Sequence, residues 1–243
     1  MPHTTVCGFF YLKGMGNIFP MRKVSVFIDG YNLYHAINNL GNNHFKWINL
    51  ASLSKEFIQS QDEKIIRILF FTAFPSHKPL DVQERYSSYT TASKEMGVEI
   101  IEGKFKKKFF MGYNKAGLYQ QRETHEEKET DVNIALHILE DAYETISDKI
   151  ILISNDSDIA PALRMAKTKN TTLKLNIVTP PLSNGRRPNF DLAYSSLNIK
   201  KDRKGQIFFK TRMIQEIHLI RHRLPEEMTT KNGQKIIIPE AYK

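Results

Sequence analysis

Cysteine is nearly missing from this chain. Cys7 is the only one in 243 residues, which excludes an internal disulfide framework and a cysteine-based zinc site. Long apolar runs are missing too. None approaches the roughly 20 residues that a membrane-spanning helix needs, so no membrane partner is expected. Among the eight histidines only His218 and His222 stand four apart, and no HExxH occurs, which disfavours a zinc hydrolase. Neither a Walker-type loop nor a GxGxxG occurs, and nucleoside triphosphate hydrolysis and dinucleotide binding have no support. No repeat or low-complexity tract is present. A reducing cytoplasm is the expected compartment.

What remains is a globular composition with a basic bias. Apolar residues make up 41%, enough for a packed core in one large α/β domain or a domain with an appendage. Net charge is +9, from 35 basic and 26 acidic residues. Residues 200–243 hold eleven Lys and Arg against five Asp and Glu. Such a surplus favours polyanionic partners, RNA or DNA before membranes. The first twenty residues, MPHTTVCGFFYLKGMGNIFP, lack the charged start, apolar middle and small-residue cleavage site of a secretory signal. Residues 1–20 therefore read as a loose arm or as lying upstream of a start at Met21, with a weak signal peptide as the alternative.

Short apolar runs alternate with helix-period segments. Val24–Ile28 is followed by a helix over Leu33–Leu40, and Leu50–Ser60 is a second helix candidate. Ile65–Ala73 reads as a buried strand, Val82–Met96 as a helix, and Val98–Ile101 as a strand. Lys104–Met111 and Leu118–Glu123 flank GYNKAG, as in a hairpin or long loop. Val132, Ala135, Leu136, Leu139 and Ala142 share a helical face. Lys149–Ile153 is a strand, Ala160–Lys169 a helix that tolerates Pro161 only in its first turn, and Leu173–Val178 a last strand. This alternation predicts a mainly parallel sheet covered on both faces. From about Lys200 the character changes: Phe208–Arg223 is basic and partly amphipathic, and a hairpin is expected around Asn232-Gly233. The expected division is 1–20, 21–199 and a basic C-terminal extension over 200–243.

In such a sheet, ligands bind outside the carboxyl ends of the strands. Two strands here end in acid, at VFI-Asp29 and ILISN-Asp156-Ser-Asp158, and Asp131 opens the helix that follows KET. Carboxylates crowded into one crevice cannot all stay ionised without a cation. Mg²⁺ or Mn²⁺, hard ions that take a few carboxylates plus water and phosphate oxygens, would suit them. Each residue also has a structural reading. Asp29 could form an Asx turn before Gly30, Asp131 could answer the helix dipole, and Ser157 or Asp158 could cap the next helix.

Taken together, FIDGYNLYH (Phe27–His35), KETDVNIALHIL (Lys128–Leu139) and ISNDSDIAPAL (Ile153–Leu163) resemble the NYN domain family of the PIN-like nuclease superfamily. The resemblance covers roughly residues 23–180. It implies a PIN-like three-layer α/β/α sandwich and metal-dependent, endonucleolytic cleavage of RNA. It also implies catalytic roles for Asp29, Asp131, Asp156 and Asp158, with the first three holding the metal. Asn32 would be a polar companion and Lys128 a phosphate contact. Asn155 stands where the family's Ser-Gly-Asp turn has glycine; if that position needs positive φ, asparagine is the next-best tolerated residue.

Other features are open to two readings. KFKKKFF (Lys104–Phe110) could touch RNA or be a solvated hairpin with its phenylalanines in the core. Arg186 and Arg187, in a Gly/Pro-bearing loop, could clamp phosphate or serve solubility. His35 and His137 read as packing or surface residues, and His125 as part of a solvated loop. A catalytically silent RNA-binding or scaffold protein of the same fold is the alternative function, and a homo-oligomer is compatible with the sequence. Haloacid-dehalogenase-type and Toprim-type chemistry fit worse, because Asp29 supplies neither the Asp-x-Asp of the one nor the glutamate of the other.

Overall fold

The structure is a computed structural model that describes residues 20–59, 61–113, 117–182, 188–189, 199–201, 207–209 and 212–243. The expected N-terminal arm, apart from Pro20, and the loop arginines Arg186 and Arg187 lie outside the described residues.

The central strand is β1 (Arg22–Asp29), whose last six residues are buried, as expected of a strand covered on both faces. It is flanked by β2 (Glu63–Ala73) and β5 (Lys149–Ile153), both parallel to it. Beyond β2 lie β3 (Glu99–Tyr113) and β4 (Tyr119–Lys128); beyond β5 lie β6 (Lys174–Thr179) and the two-residue β9 (Arg212–Met213). The order is β4-β3-β2-β1-β5-β6-β9, and only the β3–β4 pairing is antiparallel. Two small hairpins stand apart from this sheet: β7 (Ile199–Lys201) with β8 (Ile207–Phe209), and β10 (Glu227–Thr229) with β11 (Lys235–Ile237).

Alternation along β1 divides the core. Val24, Val26 and Ile28 face one way, against Leu33 and Ile37 of α1 (Gly30–Asn38) and Leu50 and Leu53 of α2 (Leu50–Ser54). Phe27 faces the other way, against Ile134 and Ile138 of α4 (Thr130–Glu144) and Leu163 of α5 (Ala160–Lys169). Successive side chains on a strand point to opposite faces, so this one strand anchors both outer layers of an α/β/α sandwich. Each such buried Val, Ile or Phe contributes about 1.5–3 kcal/mol. A third cluster joins Trp47 and Ala92 of α3 (Leu80–Glu95) to Leu224, Ile236 and Ile238.

Several elements differ from their sequence reading. The second helix stops at Ser54 and gives way to a single tighter turn over Lys55–Phe57. Val98–Ile101 and Lys104–Met111 are parts of one strand, β3, which pairs with β2 as far as Gly103 and with β4 from Lys104 onward. Its partner β4 runs to Lys128, so His125 lies in a strand rather than a solvated loop. Phe109 and Phe110 are exposed on this hairpin, which rules out their place in the core. Within the C-terminal stretch, β9 extends the main sheet, and Ile214 and Leu219, the latter on α6 (Glu216–Arg221), enter the same core as β1. The hairpin at Asn232-Gly233 forms, with Gly233 at a positive φ of 82°.

The two ends of the sheet carry opposite polar solutions. At the amino end, buried Glu63 and Lys149 pair at 2.8 Å. Burial works against both charges, yet the Lys149 ammonium and the Gln59 N–H hold Glu63 below its ordinary pKa. At the carboxyl end the carboxylates have no such cation among the described residues' ion pairs.

Candidate metal centre

Asp29 ends β1 and caps α1. Its Oδ1 accepts the Asn32 N–H at 2.9 Å, and its Oδ2 accepts the Ser154 hydroxyl at 2.8 Å. The side chain is almost wholly buried. Desolvation pushes its pKa up to about 7; the two hydrogen bonds work against the rise, and the charges of Asp131 and Glu127 add to it. The turn into α1 demands glycine next. A Cβ on Gly30 would lie 2.5 Å from the Phe71 carbonyl oxygen and 2.7 Å from the Phe70 ring.

Asp131 arrives from the other side through a one-residue connection. β4 ends at Lys128 and α4 begins at Thr130, leaving Glu129 between them in the left-handed region at φ 78°. A non-glycine residue there is strained and persists only when its surroundings over-determine it. Gly103 is part of those surroundings: a Cβ on it would sit 2.6 Å from the Lys128 carbonyl oxygen and 2.8 Å from Thr130 Oγ1. The sharp entry places Asp131 in the first helical turn, where its pKa is raised by desolvation and then by Asp156 and Asp158.

Asp156 is held by the strand end. The Ser154 hydroxyl, already donating to Asp29, accepts the Asp156 N–H at 3.0 Å. Asp156 Oδ1 in turn accepts the Asp158 N–H at 3.0 Å, so Asp156 caps the turn over Ser157–Ile159 that leads into α5. Carboxylate oxygens of Asp29, Asp131 and Asp156 all lie within 4.8 Å of one another. Hard oxygen donors gathered so closely, one of them buried and resisting ionisation, fit a divalent cation such as Mg²⁺ or Mn²⁺.

The other sequence candidates fall differently. Asp158 is exposed and outside the three-carboxylate group, though near enough for its charge to act on Asp131. Asn32 Oδ1 accepts the Asn155 N–H at 3.1 Å, so this side chain ties α1 to the β5 loop. Asn155 does not have positive φ; its own Oδ1 accepts the Asn189 N–H at 2.6 Å. Asparagine here is a loop tie, and no left-handed backbone is required of it. The Lys128 ammonium lies 3.0 Å from Glu126 Oε1.

Two features escaped the sequence reading. Glu127 is half-buried, accepts the Thr130 hydroxyl, and has its pKa raised by burial and by Asp131. Beside it, between α1, α3 and the β2–β3–β4 strands, lies a cavity of about 440 Å³. Its walls include Tyr31, Tyr86, Tyr89, Phe105, His77 and His125. Reading HEEK as a strand would have placed His125 and Glu127 on one face, two residues apart.

A mainly parallel α/β/α sandwich with three aspartates gathered at the carboxyl edge of its sheet is the PIN-like class. Within that class the NYN domain profile matches residues 23–186, and the chain belongs to the NYN domain family, whose members are generally nucleases. A curated relative, the 6-hydroxy-3-succinoylpyridine 3-monooxygenase HspA of Pseudomonas putida, is 30% identical in an alignment of 203 residues that covers 71% of this chain. The chain spans 64% of that relative's length. A crystal structure of a protein of unknown function from Vibrio parahaemolyticus is similar at 14% identity and a TM-score of 0.47, covering 81% of this chain and 94% of that one.

Proposed function

We propose that this protein is a metal-dependent endoribonuclease that hydrolyses RNA phosphodiester bonds at the Asp29–Asp131–Asp156 cluster. The observation that carries the reading is the convergence of these three carboxylates within 4.8 Å in a chain of the NYN family. Mg²⁺ or Mn²⁺ held there would supply Lewis acidity toward water and the scissile phosphate. The chain's own residues do the positioning. Ser154 and the Asn32 N–H fix both oxygens of Asp29, and Asp156 is fixed by the same serine. Asp131, the most open of the three, faces the solvent side from which a polyanion would enter. The net charge of +9 favours RNA as the partner, and long-range attraction to phosphate would be salt-dependent.

The test is cleavage of end-labelled RNA by purified protein with Mn²⁺. Asp29→Asn and Asp156→Asn should abolish cutting while far-ultraviolet circular dichroism stays unchanged. Undiminished cleavage by both variants sinks the proposal. RNA binding indifferent to metal, with no turnover under any divalent ion, would instead support a silent RNA-binding protein of this fold.

A second reading comes from the Pseudomonas putida relative, named for oxidation of a hydroxypyridine, and the aromatic cavity is the observation that favours it. Its check is a change in the pyridine's ultraviolet spectrum under oxygen with an added reductant. A full spectrum retained after prolonged incubation counts against it.

A further inference from the structure

The cavity beside the carboxylates is not used by the hydrolysis proposed above, and its walls are unusual for a gap between helix and sheet. His77 and His125 stack face to face, with ring centroids 4.2 Å apart and planes 8° from parallel. Phe105 meets His77 edge-on at 4.5 Å. His77 Nδ1 is buried and has no hydrogen-bond partner among the described residues. Buried polar atoms are nearly always satisfied, so this wall of the cavity departs from ordinary core packing. Burial holds the His77 imidazole below its ordinary pKa, with the neighbouring His125 and Lys78 adding to the effect. A neutral ring stacks well and keeps an acceptor nitrogen.

The cavity shares neighbours with the acidic cluster. Asp29 is followed directly by Gly30 and Tyr31, and both line it. Glu127 lines it as well, and its charge acts on Asp29. Its volume of about 440 Å³ lies in the range of small-ligand sites, about 300–1,000 Å³. Flat rings at close spacing and a carboxylate on one wall are what a planar heteroaromatic group with hydrogen-bonding edges requires.

We infer that this cavity is a base-binding subsite, which takes one unstacked nucleobase of the RNA strand while the adjoining phosphate lies at Asp29, Asp131 and Asp156. The inference rests on the nuclease reading for its polymer, but the base site itself can be tested without catalysis. Glu127, which lines the cavity and whose charge acts on Asp29, places the base beside the cut. His77 and Phe105 form its floor.

The experiment has two arms. In the first, wild-type protein in EDTA is titrated with cytidine, uridine and adenosine, and with ribose 5-phosphate as the baseless control, by NMR. At least one nucleoside should bind, and the control should not. His77→Ala and Phe105→Leu should weaken that binding about tenfold, within the range for loss of a stacking partner; two variants are used in case one fails to fold. In the second arm, cleavage of a randomised RNA with Mn²⁺ should show a base preference beside the cut that both variants alter. Nucleoside binding without RNA cleavage would remove the nuclease reading and leave the base site standing. Cleavage with no nucleoside binding, and a base preference unchanged in both variants, would overturn the base site and leave the nuclease. Equal binding of ribose 5-phosphate would overturn it as well.

Discussion

Asp29→Asn should make the metal-free protein more stable above neutral pH while removing its activity. A carboxyl carried from 3.8 to about 7 by burial corresponds to about 4 kcal/mol of differential free energy, at about 1.4 kcal/mol per pKa unit. The sign follows from proton counting. Between pH 4 and 7 the unfolded chain has lost this proton and the folded chain keeps it, so stability falls as pH rises. Above about pH 7 the folded carboxylate is ionised against its surroundings, and the whole cost is present. Asparagine carries no charge to desolvate. Its Oδ1 can still accept from Asn32, and its amide can donate to the Ser154 hydroxyl, which has acceptor capacity. Allowing for that rearranged hydrogen bond, the variant should be about 2–3 kcal/mol more stable than wild type at pH 8 in EDTA, and nearly equal at pH 5.

Urea denaturation at several pH values checks this, with and without Mn²⁺. Metal at about 100 times its Kd should stabilise wild type by about 2.7 kcal/mol and the variant by far less. Parallel pH profiles for the two proteins, or a variant less stable than wild type at pH 8 in EDTA, would refute the reasoning that Asp29 is a charge the fold tolerates only for a cation.

Further outcomes are expected. Asp158→Asn should slow single-turnover cleavage by about tenfold, as for a group acting on a ligand from outside, whereas Asp156→Asn should leave no measurable rate. Lys149→Met takes the nearer cation, at 2.8 Å, from the buried Glu63 carboxylate and leaves it Arg22 at 3.4 Å, so it should cost about 1–3 kcal/mol in urea unfolding, short of the loss for a wholly unpaired buried charge. Gly30→Ala drives a methyl to within 2.5 Å of the Phe71 carbonyl oxygen. It should cost about 1–3 kcal/mol, read as a lowered Tm, and should reduce cleavage because α1 and its Asp29 cap must shift together.

Much of this arrangement was legible because its signals are local. VSVFI and ILI are short runs rich in β-branched residues, too brief for buried helices, and each ends in acid. Val132 to Ala142 keep a helical period, and that places Asp131 in a first turn. The unread parts depend on distant partners. The two halves of β3 look like separate strands because their neighbours change at Gly103, from β2 on one side to β4 on the other. β9 is two residues long, below any pattern that alternation can show. Glu127 was hidden by its neighbours: HEEK reads as solvated until β3 is laid beside it.

The first serine of ISNDSD, Ser154, explains why the carboxylates at the ends of β1 and β5 act as one site. Parallel pairing sets Ile28 opposite Ile153, so the residues that follow, Asp29 and Ser154, emerge level at the sheet's edge. Ser154 then donates to one aspartate and accepts from the backbone of the other. A slip of one residue in this register would turn every side chain of β5 to the opposite face, burying Ser154 in the wrong layer and separating Asp29 from Asp156. The apolar alternation of β1 forbids that slip, since Phe27 fits the α4–α5 layer and Val26 and Ile28 fit the α1–α2 layer. The placement of the acids is therefore enforced by the core. The cost of holding the acids there, about 4 kcal/mol for Asp29 alone, is a large share of the roughly 5–15 kcal/mol by which a domain is stable. The core therefore sets the position of the cluster, and a bound cation would return stability that the empty cluster gives up.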